Sequence, residues 1–141
     1  MKSKIRNEIY EIPVIEVKNA NNRIYYLIVE QETAFDNSPM GKDRQTEHMK
    51  NYYYHSDDNH GVHINSGIPN KAFYLTAKDI GTDKASLIWY DALQHLWPTA
   101  IFNSAVRVIV RSAGILADSS KVPKGSPQVV RTAFKSVGLP T

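Results

Sequence analysis

Between residues 102 and 116 apolar side chains return at Phe102, Ala105, Val106, Ile109, Val110, Ala113 and Leu116. Spacing by threes and fours gathers these residues onto one face of an α-helix. A stripe this long has to be buried against partners, and the chain repeats the period to supply them. Phe73, Ala77 and Ile80 form one such face, Trp89, Leu93 and Leu96 with Ile88 and Ala92 a second, and Val129, Val130, Ala133, Phe134 and Val137 the last. The expectation is a mainly α chain, a helical bundle of about four helices. Start and stop signals agree: Ser66 or Gly67 to cap the first helix, Thr99 to cap the long one, Ser126 to cap the last with Pro127 at its first position, and Gly138 and Pro140 to end it.

The chain ahead of these helices reads differently. Residues 9–17 and 23–30 are rich in Ile, Val and Tyr and flank Asn19-Ala20-Asn21-Asn22, which predicts an N-terminal β-hairpin. Pro13 cannot donate to a ladder, so the first strand is an edge or is broken there. Residues 31–65 then lose all periodicity and predict a long preceding loop, of the length usually kept for function.

At 141 residues with 42% hydrophobic content, the chain is the size of one ordinary domain. It has no cysteine, which excludes disulfides and thiolate chemistry and leaves His, Asp and Glu as the residues to hold any metal. Glu8, Glu11 and Glu16 interrupt the region where a secretory signal would be apolar, and no apolar run approaches the roughly 20 residues that span a bilayer. These readings predict a soluble chain, cytoplasmic by default. Charge is uneven: residues 1–70 hold 8 Lys/Arg against 10 Asp/Glu, and residues 71–141 hold 9 against 4.

The segment Asp57-Asp58-Asn59-His60-Gly61-Val62-His63-Ile64-Asn65-Ser66-Gly67-Ile68-Pro69-Asn70 carries the chemistry. His63 stands just ahead of a predicted helix N-terminus, where free backbone N–H groups and the helix dipole favour negative charge, a developing oxyanion included. Asp58, five residues earlier across a glycine-containing turn, is placed to accept a hydrogen bond from the His63 ring and fix its tautomer.

This block strongly resembles the Asp-Asn-Gly-Gly-Val-His and Asn-Ser-Gly-Ile run of the thermolysin-like neutral zinc metallopeptidases. Residues 33–49 look like the preceding loop of the protealysin branch, and residues 87–93 and 129–139 are similar to the family's closing helices in order and spacing. The resemblance implies a C-terminal helical metallopeptidase domain over residues 33–141, with residues 1–32 an extension of unknown origin. It implies catalytic roles for His63, which would contact the oxyanion of a tetrahedral intermediate, and for Asp58, which would orient it. It also shows what the chain lacks. The family's zinc is held by His-Glu-x-x-His, whose Glu is the general base, and no such motif occurs in this sequence. No metal ligand is assigned here, and no cofactor; zinc belongs to residues missing from this chain, and the chain alone is expected not to hydrolyse peptides. Two further departures are His60, in place of the family's first glycine, and a residue 81–84 connection shorter than the family's.

The implied partners are a separately encoded zinc-binding half and a peptide substrate, with no membrane. Competing readings are a non-catalytic binding or decoy module, a new metal site from His55, Asp57, Asp58, His60 and His63, and a nucleic-acid or acidic-partner module using Arg107, Arg111, Lys121, Lys124, Arg131 and Lys135. The hairpin is expected to cover part of the apolar face that the family's other half would occupy.

Overall fold

The computed structural model describes residues 44–141. The expected hairpin, and with it the covering of an apolar face by residues 9–30, lies outside the described residues. The described part is mainly helical. After a 3-10 turn at Met49–Asn51 come a short helical segment, α1 (Asp57–Asn65), and four longer helices, α2 (Gly67–Ile80), α3 (Thr82–Leu93), α4 (Phe102–Asp118) and α5 (Ser126–Ser136).

Helix α2 packs on α3 and α5, and α4 packs on α3 and α5, so each long helix touches two neighbours and the four close into a bundle. The apolar stripes meet at its centre, where Ile68, Ile88, Val106, Val130, Phe134 and Val137 are all but inaccessible. Trp89 links two layers, stacking on Phe134 at 5.8 Å between ring centroids and meeting Phe73 edge-on at 5.3 Å. Both are arrangements that aromatic quadrupoles favour.

Helix ends depart from expectation more than helix faces do. Leu93 is exposed and Leu96 falls beyond the end of α3. Thr99 does not cap α4, whose N-cap is Ile101. Gly125, not Ser126, is the N-cap of α5. Ser66 is the N-cap of α2, as expected, but makes no side-chain capping bond: its hydroxyl turns back to donate to the His63 carbonyl at 2.6 Å. The connection expected over residues 81–84 shrinks to Gly81 alone, which ends α2 and starts α3 at φ 87°, a conformation open to glycine. The end of α5 follows the sequence signal: at Gly138, φ 84°, the chain closes a Schellman motif with Leu139 N–H donating to Phe134 O and Gly138 N–H to Lys135 O, both at 3.0 Å.

The described part of the predicted long loop is ordered against the bundle by backbone bonds. Met49 N–H donates to Val137 O at 2.9 Å and Thr46 N–H to Ile64 O at 3.1 Å. Gly67 permits this approach: a Cβ there would lie 2.4 Å from the Thr46 carbonyl oxygen.

Candidate active site

After Asp57, helix α1 runs through four consecutive residues in the left-handed region, Asp58 (φ 55°), Asn59 (49°), His60 (64°) and Gly61 (75°), before Val62–Asn65 turn right-handed. One left-handed turn is costly for L-residues, and its composition lowers the cost. Asp and Asn tolerate this region better than most residues, and Gly61 is free in it. Gly61 is also confined, since a Cβ there would come within 2.9 Å of the Tyr53 ring and the Asn65 amide. His60 is the exception, a bulky residue held at positive φ with its side chain in solvent.

The left-handed turn folds the Asp58 carboxylate back over the start of the right-handed one. One oxygen accepts from the backbone N–H groups of His63 at 3.0 Å and Ile64 at 3.1 Å, and the other lies 2.6 Å from Nδ1 of the His63 ring. The three donors hold the Asp58 carboxyl below its ordinary value, the His63 ring being the largest cause and the two backbone bonds adding to it against a weaker opposing effect of desolvation. The N–H groups of His63 and Ile64 are taken by Asp58 as by an N-cap, so the imidazole is the group left facing outward, 86% exposed. With Nδ1 bonded to the carboxylate, Nε2 is the free ring nitrogen; it donates only when the ring takes up a second proton, beside the carboxylate that compensates the charge.

Residues the sequence reading did not single out hold this arrangement in place. Asn65 exchanges two bonds with the Tyr53 backbone, accepting from its N–H at 2.9 Å and donating to its carbonyl at 3.0 Å. Gln45 donates to the His63 carbonyl at 3.0 Å and to Ser66 at 3.2 Å. The Tyr53 hydroxyl donates to the Asp57 carboxylate, 2.6 and 2.7 Å from its oxygens, which raises the Tyr53 phenol above its ordinary value. Nothing in the local sequence marks Tyr53 and Asn65, twelve residues apart, as partners.

The five-residue metal set is not assembled. Asp57 is engaged by Tyr53 and Asp58 by His63, and among the described residues no three His, Asp or Glu side chains converge as a metal-holding group. The basic set divides as well: Arg107, Arg111 and Arg131 line one cavity, which Lys121, Lys124 and Lys135 do not reach.

A four-helix bundle with a carboxylate-oriented imidazole beside one helix start defines the class, and comparison with known proteins supplies the family. Residues 35–139 match the thermolysin metallopeptidase alpha-helical domain, and the chain belongs to that family. It is similar to an extracellular metalloprotease of Pectobacterium carotovorum subsp. carotovorum, 52% identical over 64 residues, 43% of this chain and 18% of that protein. It is also similar to bacillolysin of Bacillus amyloliquefaciens, 39% identical over 100 residues, 67% of this chain and 18% of that protein. Among solved structures it resembles the precursor of protealysin, a metalloproteinase from Serratia proteamaculans, with a TM-score of 0.65 and 38% identity over 79% of this chain and 34% of that one. The matched residues thus span less than a fifth of the extracellular metalloprotease and of bacillolysin, and about a third of the protealysin precursor. The relative from Pectobacterium is described as extracellular; among the described residues no helix is long and apolar enough to cross a membrane. The family's name implies a metal, and the donors present do not fit one: the sequence has no His-Glu-x-x-His and no cysteine, and the described His, Asp and Glu residues do not converge.

Proposed function

We propose that this chain is the oxyanion-stabilising part of a thermolysin-like metallopeptidase, working in peptide-bond hydrolysis together with a zinc-binding half that these residues do not contain. His63 is the catalytic residue and Asp58 its positioning residue. The observation that carries this reading is the Asp58 carboxylate bonded to His63 Nδ1 at 2.6 Å while the ring stays 86% exposed. An imidazole oriented in this way offers Nε2–H, when protonated, to the oxygen of a tetrahedral intermediate. A preorganised donor of this kind contributes about 3 kcal/mol to transition-state stabilisation. That is a fraction of the 8 kcal/mol or more, roughly, that enzymes remove from a barrier, so the isolated chain does not turn over peptides.

The test mixes the purified chain with a separately produced zinc-binding half of a thermolysin-like peptidase and follows cleavage of a fluorogenic peptide. Cleavage is expected in the mixture only, reduced by about 10²–10³-fold in kcat for His63→Ala. For Asp58→Asn a fall in kcat with little change in KM is expected, because the ring loses its fixed tautomer and orientation. Zinc-dependent cleavage by the chain alone, or a mixture indifferent to His63→Ala, would overturn the proposal.

A further inference from the structure

Helices α4 and α5 and the residues after α5 border an open recess of about 410 Å³, lined by Asn103, Val106, Arg107, Val110, Arg111, Arg131, Pro140 and Thr141. None of these residues belongs to the Asp58–His63 arrangement. The floor is apolar, since Val106 and Val110 are buried at 1% and 8% exposure. The rim is cationic: Arg107 and Arg111 stand one helical turn apart on α4, and Arg131 approaches from α5. Among the described residues no Asp or Glu side chain pairs with any of the three.

Guanidinium groups around one recess repel each other unless an anion joins them, and their planar forks match carboxylate and phosphate oxygens in a bidentate manner. The volume lies within the range of small-molecule sites, which combine apolar walls with a few polar groups that set orientation. We infer that this recess binds a small amphipathic organic anion, its phosphate or carboxylate held by Arg107, Arg111 and Arg131 and its apolar body resting on Val106 and Val110. The compact grouping of three arginines over an apolar floor favours this ligand over nucleic acid. A phosphodiester backbone is tracked by an extended stripe of cations, whereas Lys121, Lys124 and Lys135 lie off this recess.

The full chain would be titrated with phenyl phosphate, benzoate and inorganic phosphate at low salt, by calorimetry and by amide chemical shifts. Saturable binding of phenyl phosphate or benzoate at roughly millimolar concentration or tighter is expected, with phenyl phosphate bound more tightly than inorganic phosphate because the floor takes the ring. The shifts should map to α4, α5 and residues 140–141. Comparing phenyl phosphate with benzoate tells whether the oxyanion is phosphate or carboxylate. Arg107→Gln with Arg111→Gln, and separately Arg131→Gln, should each weaken binding tenfold or more, while Lys121→Gln with Lys135→Gln leaves it unchanged. Two independent arginine variants keep the test decisive if one of them fails to fold. No saturation with any probe, equal loss in the lysine variant, or inorganic phosphate bound as tightly as phenyl phosphate would overturn the inference.

Discussion

The bundle of α2 to α5 and the stretch from Thr46 to Ser66 lie in contact yet are held by different forces. In the bundle, closure comes from apolar burial: Phe134, Ile68, Ile88 and Val130 have almost no accessible surface. In the stretch that presents His63, only Thr46, Gly61, Ile64 and Asn65 are buried, and the shape is held by side-chain bonds to backbone, the left-handed turn at Asp58–Gly61 and two close glycine contacts. Burial is non-directional and tolerates small displacements. A carboxylate shared among three donors does not, which makes the second region suited to aiming a ring and easy to disturb locally.

The largest expected effect tests the bundle. Phe134→Ala removes a ring packed on Trp89 and should cost about 3–5 kcal/mol in denaturant unfolding, with the whole described region losing protection in hydrogen exchange. If only α5 loosened, the bundle would not be a single cooperative unit.

Gly67→Ala probes the seam between the two regions. The added Cβ meets the Thr46 carbonyl at 2.4 Å, and the displacement should cost about 1–3 kcal/mol. Exchange of the Thr46 amide is expected to rise more than that of α4 amides. A uniform response would show that the loop and the bundle open together.

Asp58→Asn tests the site itself through pH. The folded carboxyl is held below its ordinary 3.8, so its contribution to stability is complete above that value and is lost as pH falls through the lower folded one. The wild-type advantage in Tm over Asp58→Asn should therefore be present near neutral pH and shrink in acid; an advantage that grew in acid would contradict the arrangement.

The smallest effect is a gain. His60→Gly relieves a non-glycine residue at φ 64°, and after the added freedom of the unfolded chain is counted it should stabilise by about 0.5 kcal/mol. Loss of stability would mean that the His60 side chain, exposed in the fold, contributes more than its backbone strain costs.

Legibility divided along the same line. The stripe of α4 placed Val106, Ile109, Val110, Ala113 and Leu116 in the core, as the structure finds them, because a helical period is a local property of the chain. Caps were read less well. Thr99 and Ser126 have the right chemistry, yet the caps fall at Ile101 and Gly125, and Ser66, at the expected N-cap of α2, gives its hydroxyl to the nearby His63 carbonyl instead. The resemblance carried by the Asp57–Asn70 block pointed to the family and singled out Asp58 and His63, yet it did not indicate that Asp58 also bonds the backbone N–H groups of His63 and Ile64. Nor did it reveal that Tyr53 and Asn65, twelve residues apart, lock the segment in place.

By itself the sequence determined the helical class and the buried face of α4 and pointed to the candidate pair, since periodicity and a short motif are written in neighbouring residues. The tertiary structure alone decided that the His63 ring points outward while Asp58 bonds three donors, and that three arginines from two helices share one recess while the remaining cations do not. Those outcomes depend on contacts between segments far apart in the chain, where direction and distance, which no local pattern encodes, set the result.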